Sequence, residues 1–443
     1  MATVEDMVET PNAITRLYRA CEPNEALSPD DPRFVLLDDV RGATPALLYE
    51  RSLRLSDPAK PEVKIFSGHI GVGKSSELLR LKRNLENPDS GRPFRVILVE
   101  VERDLDLNDL DFPDLLVFLA AEIQRELAAA QIPGFTGSSA FLSGLWDRLK
   151  NALGTKIMLT SADVDVPFGS LALEIKNRPS SRTLLRGKIE EQSTSLQRAV
   201  NDLLDTANLK LRESGWAGLV LIVDGLEHLV LRTLDNGVTT HERLFIHRSE
   251  QLANLAAHVI YSVPISLIYS SQFAEVEQTF GERPRTVPMI RLRGNDHSAA
   301  NSGTPGMRKM RDILEARCRF ANVDFGTVFD AEETCHLLCE ATGGHPRHLM
   351  MFVRSALSRV ENLPITRVAA QGAVLEAANS LLRQIDEGEW PRLRRFVEPQ
   401  ADFPHDNEHL DMLRLLHVFE YMNDNPWYEV NPVLRLLPKF RSD

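Results

Sequence analysis

Short apolar runs alternate with longer amphipathic segments along the chain as far as Leu292. Each run has the length and the β-branched or aromatic content typical of a buried strand, and the segments between them have helical periodicity. The runs are Val63–Phe66, Phe94–Val101, Leu219–Asp224, His258–Pro264 and Val287–Leu292. This alternation predicts an α/β core.

From Met307 onward the predicted elements are mostly helices. Asn295–Gly306 has the composition of a linker. The helices predicted after it are Met307–Arg319, a second one that ends at Thr342, and Pro346–Val360. A further helix near Glu408–His417 precedes two short strands joined by a turn at Asn423–Pro426. Helices followed by such a hairpin predict a small winged-helix-like module.

Residues 131–180 read as an insertion into the α/β pattern. Two alternating runs within it, Lys156–Thr160 and Phe168–Ile175, could pair as a hairpin. A long helix from about Arg182 to Glu213 then returns to the core. The sequence assigns no role to the insertion.

The composition is that of an ordinary soluble globular protein. At 443 residues, with 43% hydrophobic and 26% charged, two or three domains are expected. The formal net charge of −12 argues against a basic surface over the whole molecule, although it allows a local basic patch. No apolar run reaches the roughly 20 residues of a membrane helix. Without a secretory signal, and with four cysteines that suggest no disulfide framework, the sequence predicts a cytoplasmic protein.

One stretch carries a specific chemical signature. Gly68–Ser75 fits G-x-x-x-x-G-K-[ST], the pattern of the phosphate-binding P-loop. Its glycines can adopt the backbone angles that turn N–H groups toward a phosphate. Lys74 is expected to neutralise β- and γ-phosphate charge, and the Ser75 hydroxyl to ligate Mg²⁺. The residues predicted to bind the nucleotide are Gly68, His69, Ile70, Gly71, Val72, Gly73, Lys74, Ser75 and Ser76.

A second pattern supplies candidates for metal binding and hydrolysis. Leu219–Asp224 is an apolar run that ends in an acid, which is the Walker B pattern, and Asp224 is expected to reach Mg²⁺ through water. Hydrolysis also needs a carboxylate that orients or deprotonates the attacking water. Because Gly225 follows Asp224 where many such proteins have a glutamate, Glu227 is the candidate base. Ser262, at the C-terminal end of a buried strand, is the candidate contact to the γ-phosphate.

Three arginines are candidates for contacts to the nucleotide. Arg347 lies at a helix start, where a helical lid could present it to the phosphates. Arg283 and Arg285 could reach the nucleotide of a neighbouring subunit, or could belong to a solvated loop. Cys335 and Cys339, four residues apart, favour packing on one helix face over a zinc site.

Together these features resemble the AAA+/STAND branch of P-loop ATPases, which includes origin-recognition initiators and bacterial defence or signalling ATPases. The residues that carry the resemblance are Gly68–Ser75, Leu219–Asp224 with Glu227, Ser262, and Gly344–Arg347. The resemblance implies a three-layer sandwich with a parallel sheet in strand order 5-1-4-3-2, a helical lid and often a winged helix. It also implies ATP and Mg²⁺ as ligands. The catalytic residues that it implies are Lys74, Glu227, Ser262 and Arg347.

The resemblance and the composition divide the chain into four segments. Residues 1–60 form an N-terminal segment that either covers the adenine side of the nucleotide or straps the sheet. Residues 61–294 form the ATPase core, with the insertion at about 131–180. The lid is expected at 305–385 and the winged-helix-like module at 386–443.

Three functions are compatible with these observations. The leading one is a Mg-ATP-hydrolysing switch that self-associates or engages an effector protein, as in bacterial defence or signalling. The second is an initiator-like, nucleic-acid-associated ATPase that uses the winged helix and Arg392–Arg395. The third is a nucleotide-binding scaffold without hydrolysis, which Gly225 would favour.

Overall fold

The computed structural model describes residues 11–57, 60–135, 193–293, 300 and 303–441. Most of the predicted insertion at 131–180, including its hairpin, lies outside the described residues. So does the predicted start of the following helix at Arg182. That helix is described over Ser193–Glu213.

Four of the five apolar runs form strands of one sheet, and the fifth strand of that sheet ends at Val287, where the fifth run begins. The strands are β1 Val63–Gly68, β2 Arg95–Glu100, β3 Leu219–Asp224, β4 His258–Val263 and β5 Arg285–Val287. Their order is β2-β3-β4-β1-β5, and the pairs β1–β4, β2–β3 and β3–β4 are parallel. Counted from the other edge, this is the predicted order 5-1-4-3-2. Strands β1, β3 and β4 are buried at every position, as expected where helices cover both faces of a parallel sheet.

Helices account for most of the remaining described chain. Up to β5 they are Ala13–Ala20, Asp38–Arg41, Pro45–Leu55, Lys74–Glu86, Val101–Asp104, Phe112–Ala129, Ser193–Glu213, Ser249–Ala253, Ile265–Ile268 and Phe273–Phe280. After β5 they are Pro305–Phe320, Glu332–Ala341, Pro346–Leu357, Arg367–Leu382, Trp390–Arg394, Asn407–Arg414 and Pro438–Arg441. The helical character predicted from Met307 onward is therefore confirmed. None of the described helices is both long and apolar enough to cross a membrane.

The chain forms two compact units. The first unit comprises Met1–Thr44, Gly68–Leu79 and Thr286–Asp443, and so holds the P-loop together with the predicted lid and C-terminal module. The second unit comprises Pro45–Ser67 and Arg80–Arg285, and so holds most of the sheet. The units group residues by packing rather than by order along the chain, and the domain boundaries predicted from the sequence stay predictions.

In the first unit, the segment that follows β5 is not a strand, although the sequence pattern predicts one over Val287–Leu292. Pro288 lacks the N–H group that a sheet ladder requires. The next three amide groups, those of Met289–Arg291, instead donate hydrogen bonds to the carbonyls of Glu420, Gly344 and Val40, in that order. This segment therefore joins the C-terminal module, the lid and the N-terminal segment of the unit through its backbone.

The predicted C-terminal hairpin is present in the first unit. Its strands are β6 Val418–Met422 and β7 Pro426–Val430, and they pair antiparallel. Both strands are buried along nearly their whole length, and the rings of Tyr421 and Trp427 stack at 4.2 Å. A Cβ atom on Gly42 would overlap the carbonyl of Met422, so the N-terminal segment approaches the end of β6 closely. The hairpin is thus an internal element of its unit in this conformation, and its assignment to a winged helix stays a prediction.

Candidate nucleotide-binding site

The P-loop of the first unit has the backbone form that binds anions. Gly68, Gly71 and Gly73 all adopt positive φ angles, of 146°, 81° and 103°. Left-handed residues interspersed among right-handed ones make successive amide groups converge on one side of a loop. Only glycine adopts these angles without steric cost, which explains why the motif places glycine at these positions. The helix that begins at Lys74 directs its positive end toward the same place.

Side chains donate hydrogen bonds to four backbone carbonyls of the P-loop. The Lys74 ammonium, buried in the unit, donates to the Gly68 and His69 carbonyls at 3.0 Å each. The His345 ring donates to the Ile70 carbonyl at 2.9 Å, and the Arg41 guanidinium to the Val72 carbonyl at 2.5 Å. With its carbonyls fixed in this way, the loop keeps its shape without relying on a bound phosphate.

The predicted lid arginine, Arg347, lies against the P-loop. A Cβ atom built on Gly71 would come within 2.8 Å of Arg347 Cδ and Nε and of His345 Cε1. Arg347 Nε also donates to the Pro23 carbonyl at 3.2 Å. The structure therefore places Lys74 and Arg347 at one loop, while their catalytic roles stay predictions.

The N-terminal segment also reaches the P-loop. Arg41 is buried, and in addition to its bond with Val72 it pairs with Glu77 at 3.2 Å. Its guanidinium would lie 3.3 Å from a Cβ atom on Gly73. The Leu27 amide donates to the Ser76 hydroxyl at 2.9 Å. These contacts put part of the N-terminal segment beside the phosphate loop, and both alternatives for residues 1–60 stay predictions.

Three histidines at the P-loop have lowered pKa values: His69 and His345 are buried, and His348 is half-buried. Burial and, to a smaller extent, the charge of Lys74 lower the pKa of His69 to about 3. Burial and the charge of Arg347 together lower the pKa of His348 to about 4, and burial lowers the pKa of His345 well below its usual value. The rings of His345 and His348 stack at 4.0 Å. The positive charge near the loop therefore comes from lysine and arginine, and the histidines act as neutral hydrogen-bonding groups.

The second unit contains the Walker B residues. Asp224 is the last residue of β3 and is buried, and its carboxylate accepts a hydrogen bond from the Gly225 amide at 3.0 Å. Glu227 is also buried, and Ser262 Oγ donates to its Oε2 at 2.5 Å. The same hydroxyl accepts from the Leu226 amide at 3.2 Å. Ser262 thus commits its proton to Glu227 in this conformation, so it positions the candidate base.

The backbone at Gly225 explains why no glutamate follows Asp224. Gly225 has a φ angle of 91°, and a Cβ atom there would lie 3.0 Å from Cγ of Glu102. A glutamate at this position would be strained and crowded. Glu102 lies just beyond the end of β2 and pairs with His228 at 2.9 Å. The sequence analysis did not identify Glu102. The available signal was that β2 and β3 are parallel neighbours, so residues that follow the two strands lie close together.

The two finger candidates differ in their surroundings within the second unit. Arg285 lies over the ring of Tyr49 at 5.4 Å and pairs with Glu282 at 3.7 Å. Arg283 is exposed. Of the two, Arg283 is therefore the better placed for a contact with another molecule.

The other sequence candidates for metal binding are explained by packing. Cys335 and Cys339 are both buried, and they hydrogen-bond to each other. Among the described residues, no group of three or more histidine, cysteine or acidic side chains forms a metal cluster. A magnesium site does not need such a group, because Mg²⁺ takes one or two protein oxygens together with phosphate and water.

Of the comparisons with known proteins, only the comparison with solved structures found similar chains. No family model matches the chain, and no curated protein matches it. A Walker-type ATPase of Pyrococcus abyssi is similar over 96% of this chain and 100% of its own, at 16% identity and a TM-score of 0.46. The ORC1 protein of Aeropyrum pernix, solved in complex with DNA, is similar over 93% and 92%, at 13% identity and a TM-score of 0.41. Cdc6p of Pyrobaculum aerophilum is similar over 96% of each chain, at 12% identity and a TM-score of 0.36.

At these identities the likeness concerns the fold alone. The class of the protein rests on its own strand order and on the conformation of Gly68–Ser75. A sheet in the order β2-β3-β4-β1-β5, with a glycine-rich loop between β1 and a helix, is the fold of the P-loop ATPases. The resemblance expected from the sequence is confirmed at this level.

Proposed function

We propose that this chain is a Mg-ATP-dependent switch ATPase whose nucleotide state controls self-association or engagement of an effector protein. The observation that carries the proposal is the P-loop conformation, with three positive-φ glycines and four backbone carbonyls that accept hydrogen bonds from side chains. Such a loop presents its inner side to an anion. A role in bacterial defence or signalling is part of the proposal and rests on the sequence resemblance.

The residues present fit ATP and Mg²⁺. Side-chain atoms approach Gly71 and Gly73 so closely that larger residues there would distort the loop, as expected of a cradle shaped for phosphate. The Ser75 hydroxyl and the Asp224 carboxylate are hard oxygen ligands of the kind that Mg²⁺ prefers. Bound Mg²⁺ would neutralise phosphate charge. In the proposed reaction Lys74 and Arg347 stabilise charge on the phosphates, and Glu227, held by Ser262, orients the attacking water.

The first experiment tests nucleotide binding. We expect Lys74→Ala to weaken the binding of ATP by at least about tenfold, because one cation at the phosphates is lost. Lys82→Ala, on the same helix, is the matched control, since Lys82 pairs with Glu86 and the Val96 carbonyl. Calorimetry with ATP and Mg²⁺ measures both. Equal affinities in wild type and Lys74→Ala would refute the proposal.

The second experiment tests the switch. Light scattering with and without ATP and Mg²⁺ should show a change in mass for wild type and none for Lys74→Ala. If the switch acts on an effector protein instead, capture of that protein should depend on ATP in wild type and not in Lys74→Ala. If ATP binds through Lys74 but mass and partner capture do not respond, the chain is a nucleotide-binding protein without this switch. If wild type binds ATP but releases no phosphate from it, the non-hydrolysing scaffold is favoured.

A second candidate function is a nucleic-acid-associated, initiator-like ATPase. It is supported by the helix Asn407–Arg414 followed by the hairpin β6–β7. In this conformation, however, Arg392 pairs with Glu408, Arg394 donates to the Lys439 carbonyl, and the hairpin is buried. This function requires salt-sensitive binding to DNA. Its absence at low salt would exclude it.

A further inference from the structure

His69 connects the P-loop to the C-terminal hairpin of the first unit. It occupies the second position of the motif, a position where the pattern sets no residue type. Its side chain is fully buried. Nδ1 lies 3.2 Å from the Leu413 carbonyl at the end of helix Asn407–Arg414, and Nε2 lies 2.8 Å from the Glu420 amide in β6. One P-loop side chain thus bonds two consecutive elements of the C-terminal module.

The partners of His69 fix its tautomer. A carbonyl can only accept a hydrogen bond and a backbone amide can only donate one. His69 Nδ1 therefore carries the proton and donates to Leu413, while Nε2 accepts from Glu420. His345 is fixed in the same way, since it donates from Nε2 to the Ile70 carbonyl and accepts at Nδ1 from the His348 amide at 3.1 Å. Both rings are saturated as neutral groups.

The backbone of His69 takes part in the phosphate loop while its ring takes part in the module. Its carbonyl accepts from Lys74 Nζ and from the Val72 amide at 3.2 Å. On the other side, its ring meets the ring of Phe419 edge-on at 5.8 Å. The side chain of Glu420 is anchored in turn by the Thr286 hydroxyl at 2.7 Å. Movement of β6 away from the loop would leave Nε2 of His69 without its partner, and movement of the whole module would leave both ring nitrogens without partners, unless the loop moved as well.

We propose that His69 is a positioning residue through which docking of the hairpin β6–β7 and binding of phosphate at the P-loop depend on each other. The proposal deepens the proposed function and rests on it. It identifies the C-terminal hairpin as the element that responds to the nucleotide. Coupling of this kind is reciprocal, so phosphate binding must favour the docked hairpin by the same factor by which docking favours phosphate binding.

The experiment measures both sides of this coupling on the full chain. Hydrogen exchange of peptides covering β6 and β7, with and without ATP and Mg²⁺, reports docking, and calorimetry reports affinity. In wild type we expect ATP to slow the exchange of hairpin amides by about tenfold. In His69→Leu we expect about tenfold weaker binding of ATP and no nucleotide-dependent protection of the hairpin.

Two further variants separate the hydrogen bonds and guard against loss of folding. Gln can reach about as far as Nε2 and can still accept from Glu420, so His69→Gln should keep most of the coupling. Asn reaches only as far as Nδ1, so His69→Asn should keep the bond to Leu413 and lose the coupling to β6. The matched control is His417→Leu. His417 is equally buried and directly precedes β6, but its ring faces Glu389 at 3.5 Å and not the P-loop. It should alter stability while ATP still protects the hairpin.

The outcomes separate this inference from the proposed function. If wild type fails to bind ATP, or binds it independently of Lys74, the proposed function fails. If ATP binds through Lys74 but leaves hairpin exchange unchanged in wild type, the coupling is refuted alone. The coupling is also refuted if ATP protects the hairpin in His69→Leu as much as in wild type. It is refuted as well if His417→Leu loses this protection to the same extent, because any cavity in the module would then have the same effect.

Discussion

The phosphate loop of the first unit and the carboxylates Asp224 and Glu227 of the second unit are held in place by different contacts. Distant parts of the chain help to hold the loop, since His345 is 275 residues from Ile70 and Glu420 is 351 residues from His69, in addition to the nearer Lys74 and Arg41. The Asp224 and Glu227 carboxylates accept hydrogen bonds from groups in the same unit, Gly225 and Ser262, and Ser262 is 35 residues from Glu227. The shape of the loop therefore depends on several segments of its unit, and the Ser262 hydroxyl contributes to the orientation of Glu227.

We therefore expect substitutions in the two regions to have different effects. Changes around the loop should alter the binding of nucleotide and be felt in the C-terminal module. Changes around Glu227 should alter turnover and leave binding intact. Variants chosen in each region test whether the separation holds.

The largest effect is expected for Glu227→Gln. The amide keeps the size of the side chain but cannot accept a proton from water, and general-base catalysis contributes about 10²–10⁴-fold to rate. Steady-state phosphate release should fall by about that factor, while the affinity for ATP changes by less than about threefold. Glu102→Gln, which removes the charge of the neighbouring carboxylate, is the control. Unchanged turnover in Glu227→Gln would assign the base elsewhere, with Glu102 the nearest alternative.

The next effect concerns the loop and has a closely matched control. Gly71→Ala and Gly237→Ala both place a side chain at nearly the same φ angle, 81° and 82°, and each should cost about 1–2 kcal/mol of strain. Nothing lies within 4 Å of a Cβ atom at Gly237, whereas at Gly71 it meets Arg347 and His345. Calorimetry should therefore show ATP affinity lowered by about tenfold or more for Gly71→Ala, and unchanged for Gly237→Ala. Similar affinities would mean that the loop adapts more easily than its contacts indicate.

The same contrast explains what could be predicted from the sequence. The P-loop, the acid at the end of β3 and the strand order are encoded in contiguous patterns, and Arg347 follows a recognisable turn at a helix start. The roles of Arg41 and His345 could not be predicted, because each depends on a contact with a carbonyl that any residue could provide. A histidine at a position of the motif that sets no residue type was the one available signal for His69.

Two other differences have local causes. The predicted strand Val287–Leu292 does not continue beyond Val287, because Pro288 has no N–H group to donate. The amides that follow donate hydrogen bonds to other carbonyls of the first unit. The absence of a glutamate after Asp224 follows from the positive φ angle at Gly225, which a linear pattern does not reveal. Backbone geometry and long-range packing, rather than composition, decide both.

A smaller effect is expected for Ser262→Ala. The substitution removes the donor to Glu227 Oε2 and the acceptor for the Leu226 amide, but the carboxylates of Asp224 and Glu227 remain. Turnover should fall by about tenfold, because the base loses one orienting bond worth about 1–2 kcal/mol. The affinity for ATP should stay within about twofold of wild type. A large loss of affinity, with turnover per bound ATP preserved, would make Ser262 a direct ligand of the phosphates instead.

The smallest effect concerns pH and returns to the phosphate loop. The pKa of His69 is about 3 in the folded chain, against an ordinary value of 6.5, because the ring is buried beside Lys74. The unfolded chain therefore binds a proton at His69 below about pH 6.5 that the folded chain does not. Stability from this group is complete above pH 6.5 and is lost as pH falls toward 3.

Urea unfolding at pH 7.5 and pH 5.5 can isolate this contribution. His345 and His348, whose pKa values are also lowered, and the nearby charges of Lys74 and Arg347 stay present in both wild type and His69→Gln. Comparing the two proteins therefore cancels their contributions. Wild type should lose about 1 kcal/mol more than His69→Gln between these pH values, since one fewer group takes up a proton on unfolding in the variant. Equal losses would show that His69 is protonated or exposed in the folded chain, which would place the P-loop and the hairpin apart in solution.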